Sequence, residues 1–325
     1  MTIRGFENRD YERLAELGTT LDRGYAFTPA MLRHRDATME PRVRFLRVAA
    51  ELDNSGVVGF GRIMHIWWNF HPRRFQLRVE VDPRWQRQGI GAALFAHLLA
   101  TLRGWDPEVV RSESRAGNEA AVSFLEHRGF TEWRRRWESV LDVASANVQP
   151  LVTAAARADA ADIRIVTYGA EVERRGEATL ARQLYDTEMA ISRDEPAMEP
   201  GAETMSFERF CAVELDTPDA VAAGHFLALH GEQIVGVSRL MRDLNHPDVL
   251  RQAFTGVRPD YRGRGIAQAL KLCTIDLARS ADYREIRTSN DSSNAPMLHI
   301  NDVIGFKRET PIVIFERRFD GGSTR

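Results

Sequence analysis

Two short segments carry residue types suited to holding a phosphate. Gln86-Arg87-Gln88-Gly89-Ile90-Gly91 and Arg262-Gly263-Arg264-Gly265-Ile266-Ala267 each follow a strand-patterned run and precede an apolar helical one. A turn in that context points successive backbone N–H groups into one concavity, with the positive end of the helix dipole behind them. Glycine is needed where the backbone must approach an oxyanion, because a Cβ would fill the space. Flanking arginines add charge-assisted contacts. The chemistry suits a diphosphate. No Gly-Lys-Ser/Thr follows either turn, so neither is a P-loop. A dinucleotide fingerprint would want a third glycine where the chain has Leu94 and Gln268. One such turn would be explained equally well as an ordinary tight turn; two in matching contexts are not.

The two turns belong to an internal repeat. Val81 and Val257 lie 176 residues apart, and the same separation links Pro83 to Pro259, Gly89 to Gly265, Asn118 to Asn294, Gly129 to Gly305 and Phe130 to Phe306. Val58-Gly59 matches Val235-Gly236 with a slip of one residue. The chain thus reads as a duplicated domain of about 150 residues per copy. The expected division is 1–145, a linker at 146–161, and 162–325. The stretch 144–161 is rich in alanine and other small residues, which suits either a flexible connection or a short helix.

Each copy must position its turn with the same elements. In the first, apolar spacing predicts a helix over Asp10–Leu21, and strands over Phe45–Leu52 and Val57–Trp67 flank the turn signal Asp-Asn-Ser-Gly. Leu77, Val79 and Val81 alternate with polar residues in a strand over Phe75–Val81. A helix over Ile90–Arg103, a strand at Val109–Ser114, a helix over Asn118–His127 closed by Gly129, and a strand over Phe130–Val143 complete the copy. The second copy repeats the order. Thr179–Ile191 is helical; His225–His230, Gln233–Met241 and Gln252–Val257 are strands. The glycine turn and its helix follow, then the strand Glu285–Ser289, the helix Ala295–Ile304 and the strand Pro311–Arg317. The expected class is α+β (mixed α/β), with one mixed central sheet flanked by helices per copy.

Gln/Arg-x-x-Gly-x-Gly/Ala after a Val-x-Pro strand end resembles the signature of the GCN5-related N-acetyltransferases. Asn118-x-x-Ala-x-x-Phe124-Leu-Glu-x-x-Gly129-Phe130 is similar to that family's next segment. So is Asn290-x-x-x-Asn294-Ala-Pro-Met297-Leu-x-Ile-Asn301-x-x-x-Gly305-Phe306. The layout resembles the family's tandem two-domain members. The resemblance covers the cofactor-binding part of both copies and leaves the amino-terminal helices unmatched. It implies that 86–91 and 262–267 bind the pyrophosphate of acetyl-CoA. It also implies that backbone groups at Val79, Val81, Thr255 and Val257 hold the pantetheine arm, and that Asn118, Asn290 and Asn294 lie on the cofactor side. Asn118 and Asn294 also fit helix N-caps, a role compatible with the first.

Acetyl transfer to an amine needs a group to take the amine proton. Glu80 and Glu113 are the candidates, at positions where the family often has a glutamate; their counterparts are Gly256 and Ser289. Side-chain chemistry is thus expected in the first copy and cofactor binding in both. Solvated strand-edge charges are the plainer reading of the two glutamates. The tyrosine that the family often places before Gly-Phe as the general acid is Leu125 in one copy and Asn301 in the other. Tyr185 is a substitute acid or a pocket wall. The cluster Trp67-Trp68-Asn69-Phe70-His71 suits a packed contact or an acceptor pocket, and His65 and His71 have no metal-ligand spacing.

Net charge is −2, which argues against a nucleic-acid or anionic-membrane partner. Two cysteines, Cys211 and Cys273, make no disulfide framework, and no long apolar run is present, so a cytoplasmic protein is expected. Of 44 basic residues only Lys271 and Lys307 are lysine, which fits codon bias or avoidance of self-acylation. Three functions follow from the resemblance. The first is acetyl-CoA-dependent transfer to a primary amine of a small molecule by direct attack on the thioester. The others are transfer to a protein amine and a non-catalytic acyl-CoA sensor. A homodimer is expected on base rates alone.

Overall fold

The computed structural model describes residues 1–21, 28–195 and 198–319. In chain order the first elements are β1 (Thr2–Gly5), α1 (Tyr11–Thr20), α2 (Pro29–Ala37), β2 (Phe45–Leu52), β3 (Gly56–His65), β4 (Arg74–Val81), α3 (Ile90–Arg103), β5 (Val109–Arg115), α4 (Glu119–Glu126) and β6 (Thr131–Asp142). Then come α5 (Gln149–Asp159), β7 (Ile163–Thr167), α6 (Tyr168–Arg175), α7 (Glu177–Ser192), the single turn α8 (Phe207–Phe210), β8 (Ala220–His230), β9 (Gln233–Arg242) and β10 (Val249–Val257). The chain closes with α9 (Ile266–Ser280), β11 (Glu285–Asp291), α10 (Ala295–Ile304), β12 (Lys307–Arg308) and β13 (Ile312–Arg318). The class is the mixed α/β one expected.

Two compact units result, and they divide the chain differently from the repeats. One holds Met1–Arg135, Pro200–Arg209 and Ile312–Arg325; the other holds Arg136–Glu199 and Phe210–Pro311. In the first unit the sheet runs β1-β2-β3-β4-β5-β13, antiparallel except for β4 and β5. In the second it runs β6-β11-β10-β9-β8-β7, with β10 and β11 parallel. The closing strand of each unit is therefore drawn from the other sequence repeat. Inside the first unit the exchange is fixed by a buried pair: the Arg111 guanidinium donates to Glu316 on β13 at 2.9 Å.

Helices α3 and α9 are the cores' main apolar bodies. Ile90, Leu94, Leu98 and Leu102 recur at helical spacing and are buried under β3 and β4. Ile266, Ala269, Leu270 and Ala278 do the same on α9. Of the two readings of 144–161, the helix is the one found. Leu151, Ala154 and Ala158 form its buried stripe, and Pro150 stands in its first turn, where a missing N–H costs nothing.

Lys271 is the exception in α9. It is fully buried, and its ammonium lies 5.3 Å from the Phe306 ring centroid. Burial pushes its pKa down to about 8 from 10.5. The unfolded chain therefore binds the proton more tightly between those values, and stability rises with pH across that window. The cost below pH 8 is about 3 kcal/mol at most. Lys271→Met is expected to raise the denaturant midpoint at pH 7 and to narrow its advantage over the natural chain by pH 10. An advantage independent of pH would show that the burial cost is not protonic.

Candidate functional site

The site begins where a pair of strands stops pairing. β10 is bonded to β11 only over Val249–Gln252 against Glu285–Thr288, yet it stays paired with β9 out to Val257. The backbone groups of Thr255 and Val257, which alternate with Gly256 on the β9 side, therefore face the β11 side with no ladder partner, and such groups need one. A bulge between Gln252 and Phe254 stands at the point of parting. The buried Gln252 amide pins it, donating to Ser238 Oγ at 3.1 Å and to the carbonyls of Arg239 and Phe254 at 2.9 Å each.

The glycine turn closes the end of this gap. Gly263 and Gly265 have φ of +79° and +83°. Gly265 is the N-cap of α9, and no side chain caps that helix, so its first N–H groups face outward as helix geometry requires. Arg262 Nε donates to Val257 O at 3.2 Å and ties the turn to the strand end. The first unit builds the same device from other residues. Gln86 Nε2 donates to Val81 O at 3.0 Å, Gly89 has φ +83°, and Arg87 takes the left-handed position (φ +63°) that Gly263 fills in the second.

In the second unit these parts enclose a cleft of about 470 Å³, lined by Thr255, Gly256, Val257, Arg262, Gly263, Gly265, Ile266, Ala267 and Asn294. Arg264 and Asn290 stand outside the lining. Arg264 donates to Asp260 O at 3.2 Å and stacks on Tyr261; Asn290 accepts from Asn301 Nδ2 at 2.8 Å. Asn294 and Asn118 are both N-caps, accepting from Met297 N at 3.3 Å and Ala121 N at 3.1 Å.

In the first unit Val79, Val81, Gln86 to Gly91 and Asn118 gather in the same arrangement, and β4 and β5 pair only over Arg74–Gln76 against Val109–Arg111. Ile90 is a core residue there, whereas Gln88 is exposed. The difference lies beside Gly91. The Phe124 ring stands 3.6 Å from where a Cβ on Gly91 would be, with the Val81 side chain at the same distance. The counterpart of Phe124 is the smaller Ile300, which lines the second unit's cleft.

The sequence-predicted carboxylates do not stand free. Glu113 is ion-paired with Arg78, and buried Glu80 lies 3.9 Å from the same guanidinium. At Gly256, the counterpart of Glu80, an added Cβ would be 2.5 Å from Ile191 Cγ2, so α7 occupies that space. One helical turn after Ile191, Glu195 lines the cleft. Its surface is exposed, and partial desolvation of the carboxylate, and next the Glu188 charge, push its pKa up to about 7. Sequence reasoning missed Glu195, whose only signal was its i,i+4 relation to the apolar face of the Thr179–Ile191 helix. Glu188 itself is buried and bonded to Arg239 at 2.7 Å; burial raises its pKa too.

The remaining candidates have structural partners. Leu125 and Asn301 are buried. Tyr185 sits edge-on to Phe210 at 5.5 Å. His65 accepts from Arg44 N at 2.9 Å on Nδ1 and lies 3.1 Å from Pro72 O on Nε2. Trp67 and Phe70 lie under the Arg209 and Arg42 guanidiniums, and Phe70 bridges to Glu203. Among the described residues there is no cluster suited to a metal ion, and no helix is long and apolar enough to cross a membrane.

A sheet splayed beside a glycine turn at a helix N-terminus, present twice, defines a class. The Acetyltransferase (GNAT) family matches residues 11–130 and 183–306, and the chain belongs to that family. It is 22% identical to the mycothiol acetyltransferase of Arthrobacter sp. (strain FB24), over 84% of this chain and 73% of the relative. It is 43% identical to the [ribosomal protein bS18]-alanine N-acetyltransferase of Escherichia coli (strain K12), but over 54 residues, 17% of this chain and 36% of the relative. In fold it resembles a tandem GNAT protein from the clavulanic acid biosynthesis pathway, with a TM-score of 0.73 at 18% identity, covering 100% of this chain and 99% of the other. A GCN5-related N-acetyltransferase from Sphaerobacter thermophilus gives 0.65 at 17% identity, covering 98% and 95%. The tandem layout is therefore shared with solved proteins.

The two N-cap glycines respond differently to a methyl group. Both carry the left-handed strain of about 1 kcal/mol that a non-glycine residue pays. A Cβ on Gly89 meets no heavy atom within 4 Å, whereas one on Gly265 would lie 2.4 Å from Ala154 O. Gly89→Ala is expected to cost about 1 kcal/mol of unfolding free energy and Gly265→Ala at least about 2 kcal/mol more. Equal losses in chemical denaturation would contradict the close approach of α5 to this turn.

Proposed function

We propose that this protein is an acetyl-CoA-dependent N-acetyltransferase that acts on a primary amine of a small molecule, with the second unit's cleft as its working site. One observation carries the reading. The same cleft brings together an uncapped helix N-terminus behind a glycine turn, unpaired strand backbone at Thr255–Val257, and a carboxylate, Glu195, whose pKa is raised towards neutrality.

The cleft passes a fit test for the cofactor. The cleft lining has open space beside Gly263, and α9 begins at Gly265 with no side-chain cap, so its first N–H groups have no intrahelical acceptor and suit a diphosphate. When bound, acetyl-CoA would supply an acetyl group whose C–S bond breaks as the amine N–C bond forms, the CoA thiolate leaving and taking its proton from solvent. The turn at 263–267 would hold the diphosphate through N–H groups. Thr255 and the Val257 N–H would pair with the amide-bearing arm as a further strand would. Glu195, ionised above about pH 7, takes the proton from the attacking amine directly or through a water. Glu80 and Glu113 are the corresponding proposal for the first unit, where Arg78 must release Glu113 before it can act. The family's usual tyrosine position offers no proton donor, because Asn301 is buried and bonded to Asn290. That observation favours a second reading, an acyl-CoA-binding module without turnover.

CoA release across a panel of small primary amines separates the two. Turnover on at least one amine is expected, with kcat/KM rising with pH through about 7 as Glu195 deprotonates. Glu195→Gln is expected to lower kcat by about 100-fold and to remove that limb. Stable acetyl-CoA binding with no turnover on any amine would support the module. Turnover with an unchanged limb in Glu195→Gln would move the base elsewhere.

A further inference from the structure

The inter-repeat helix α5 reaches the same cleft. Arg157, in its last turn, lines the cleft together with Arg262, Gly263 and Gly265. The contact that holds it there is unusually close. Ala154 O occupies the space a Cβ on Gly265 would need, with Ala154 C and Cα just behind at 3.1 and 3.2 Å. The alanines of α5 permit this approach: Ala154 and Ala158 are each 1% exposed, and Ala155 and Ala158 pack in the cluster that holds Ile266 and Leu270. Helical side chains lean back towards the N-terminus, so Arg157 lies over the turn that contains Ala154. A rigid joint thus sets one arginine beside the glycine turn.

Arg157 also has its charge available. Among the described residues its side chain has no hydrogen-bond or ion-pair partner. Arg262 is engaged, bonded to Val257 O and 3.2 Å from an Asp194 carboxylate oxygen. The charged side chains lining the cleft are Arg157, Arg262, Asp194 and Glu195, which balance. Without Arg157 the lining would be net negative, which opposes an anionic ligand. A plainer account is that Arg157 complements the C-terminal end of its own helix dipole. That account asks nothing of its position over the cleft and leaves phosphate affinity unaffected. At the first unit's turn, by contrast, an added Cβ on Gly89 meets no described residue within 4 Å.

We infer that Arg157 is a phosphate-binding residue of the second cleft, supplied by the helix between the repeats. It would make a charge-assisted contact to a phosphate of a coenzyme-A-type ligand. The inference rests on the functional reading above, and it adds a contact made by neither repeat's signature turn. Two phosphates of one ligand offer the same chemistry, the diphosphate and the ribose 3′-phosphate.

Calorimetric titration of the full chain with CoA and with 3′-dephospho-CoA tests it. Arg157→Ala, a change at an exposed side chain, is expected to weaken CoA binding about tenfold with the melting temperature unchanged, and Arg157→Lys to recover part of the loss. If only CoA is weakened, the contact is to the 3′-phosphate; if both ligands are weakened alike, it is to the diphosphate. Affinities within twofold of the natural chain for both ligands would overturn the inference and leave the functional reading standing. A natural chain that binds neither ligand would overturn the functional reading, and the inference with it.

Discussion

Everything at the cleft depends on a parallel strand pair that stops halfway. β10 and β11 share four residue pairs and then part where Gln252 holds a bulge, while the other edge of β10 remains on β9. A sheet interior rarely leaves backbone groups without partners. Here the vacant edge at Thr255–Val257 runs straight into a turn whose N–H groups are also uncommitted. Edge and turn form one continuous polar track on an otherwise apolar scaffold. The proposed ligand, with amides along its length and phosphates at its end, would pair with such a track. The side chains add charge and proton transfer to a shape the backbone already holds.

Duplication kept the backbone device and let the side chains around it diverge. Both turns place left-handed residues at the same two positions and tie back to the last strand carbonyl, by Gln86 in one and Arg262 in the other. The surroundings differ in volume and charge. Phe124 stands against the first turn where Ile300 lines the second cleft. Glu80 fills a strand position that Gly256 leaves to Ile191. In the second unit Glu195, three residues beyond α7, and Arg157 of α5 line the cleft. The closing strands are exchanged, so each unit takes its last strand from the other repeat.

Much of this was legible in the residues. The 176-residue spacing located both turns and their flanking strands and helices, because glycine at a left-handed position and a strand-to-helix switch leave local marks. What was not legible lacked such marks. Helix α2 buries only Met31 and Leu32, so its apolar period is faint, though Thr28 and Pro29 form a recognisable start. The strand exchange is a choice between two chemically similar closing strands, and strand pattern alone does not name a partner. Glu195 lies outside every motif; it matters because Gly256 removed a side chain and α7 moved into the space. The carboxylates at Glu80 and Glu113 were found in sequence, but their shared ion pairing with Arg78 is a property of packing.

The central claim is that the second unit's cleft is the acyl-CoA site. Amide hydrogen exchange of the whole chain with and without acetyl-CoA tests it most directly. The account predicts slowed exchange at residues 255–268 and 294–300. Protection confined to 79–91 and 118–124, or absent from both regions at saturating acetyl-CoA, would contradict it.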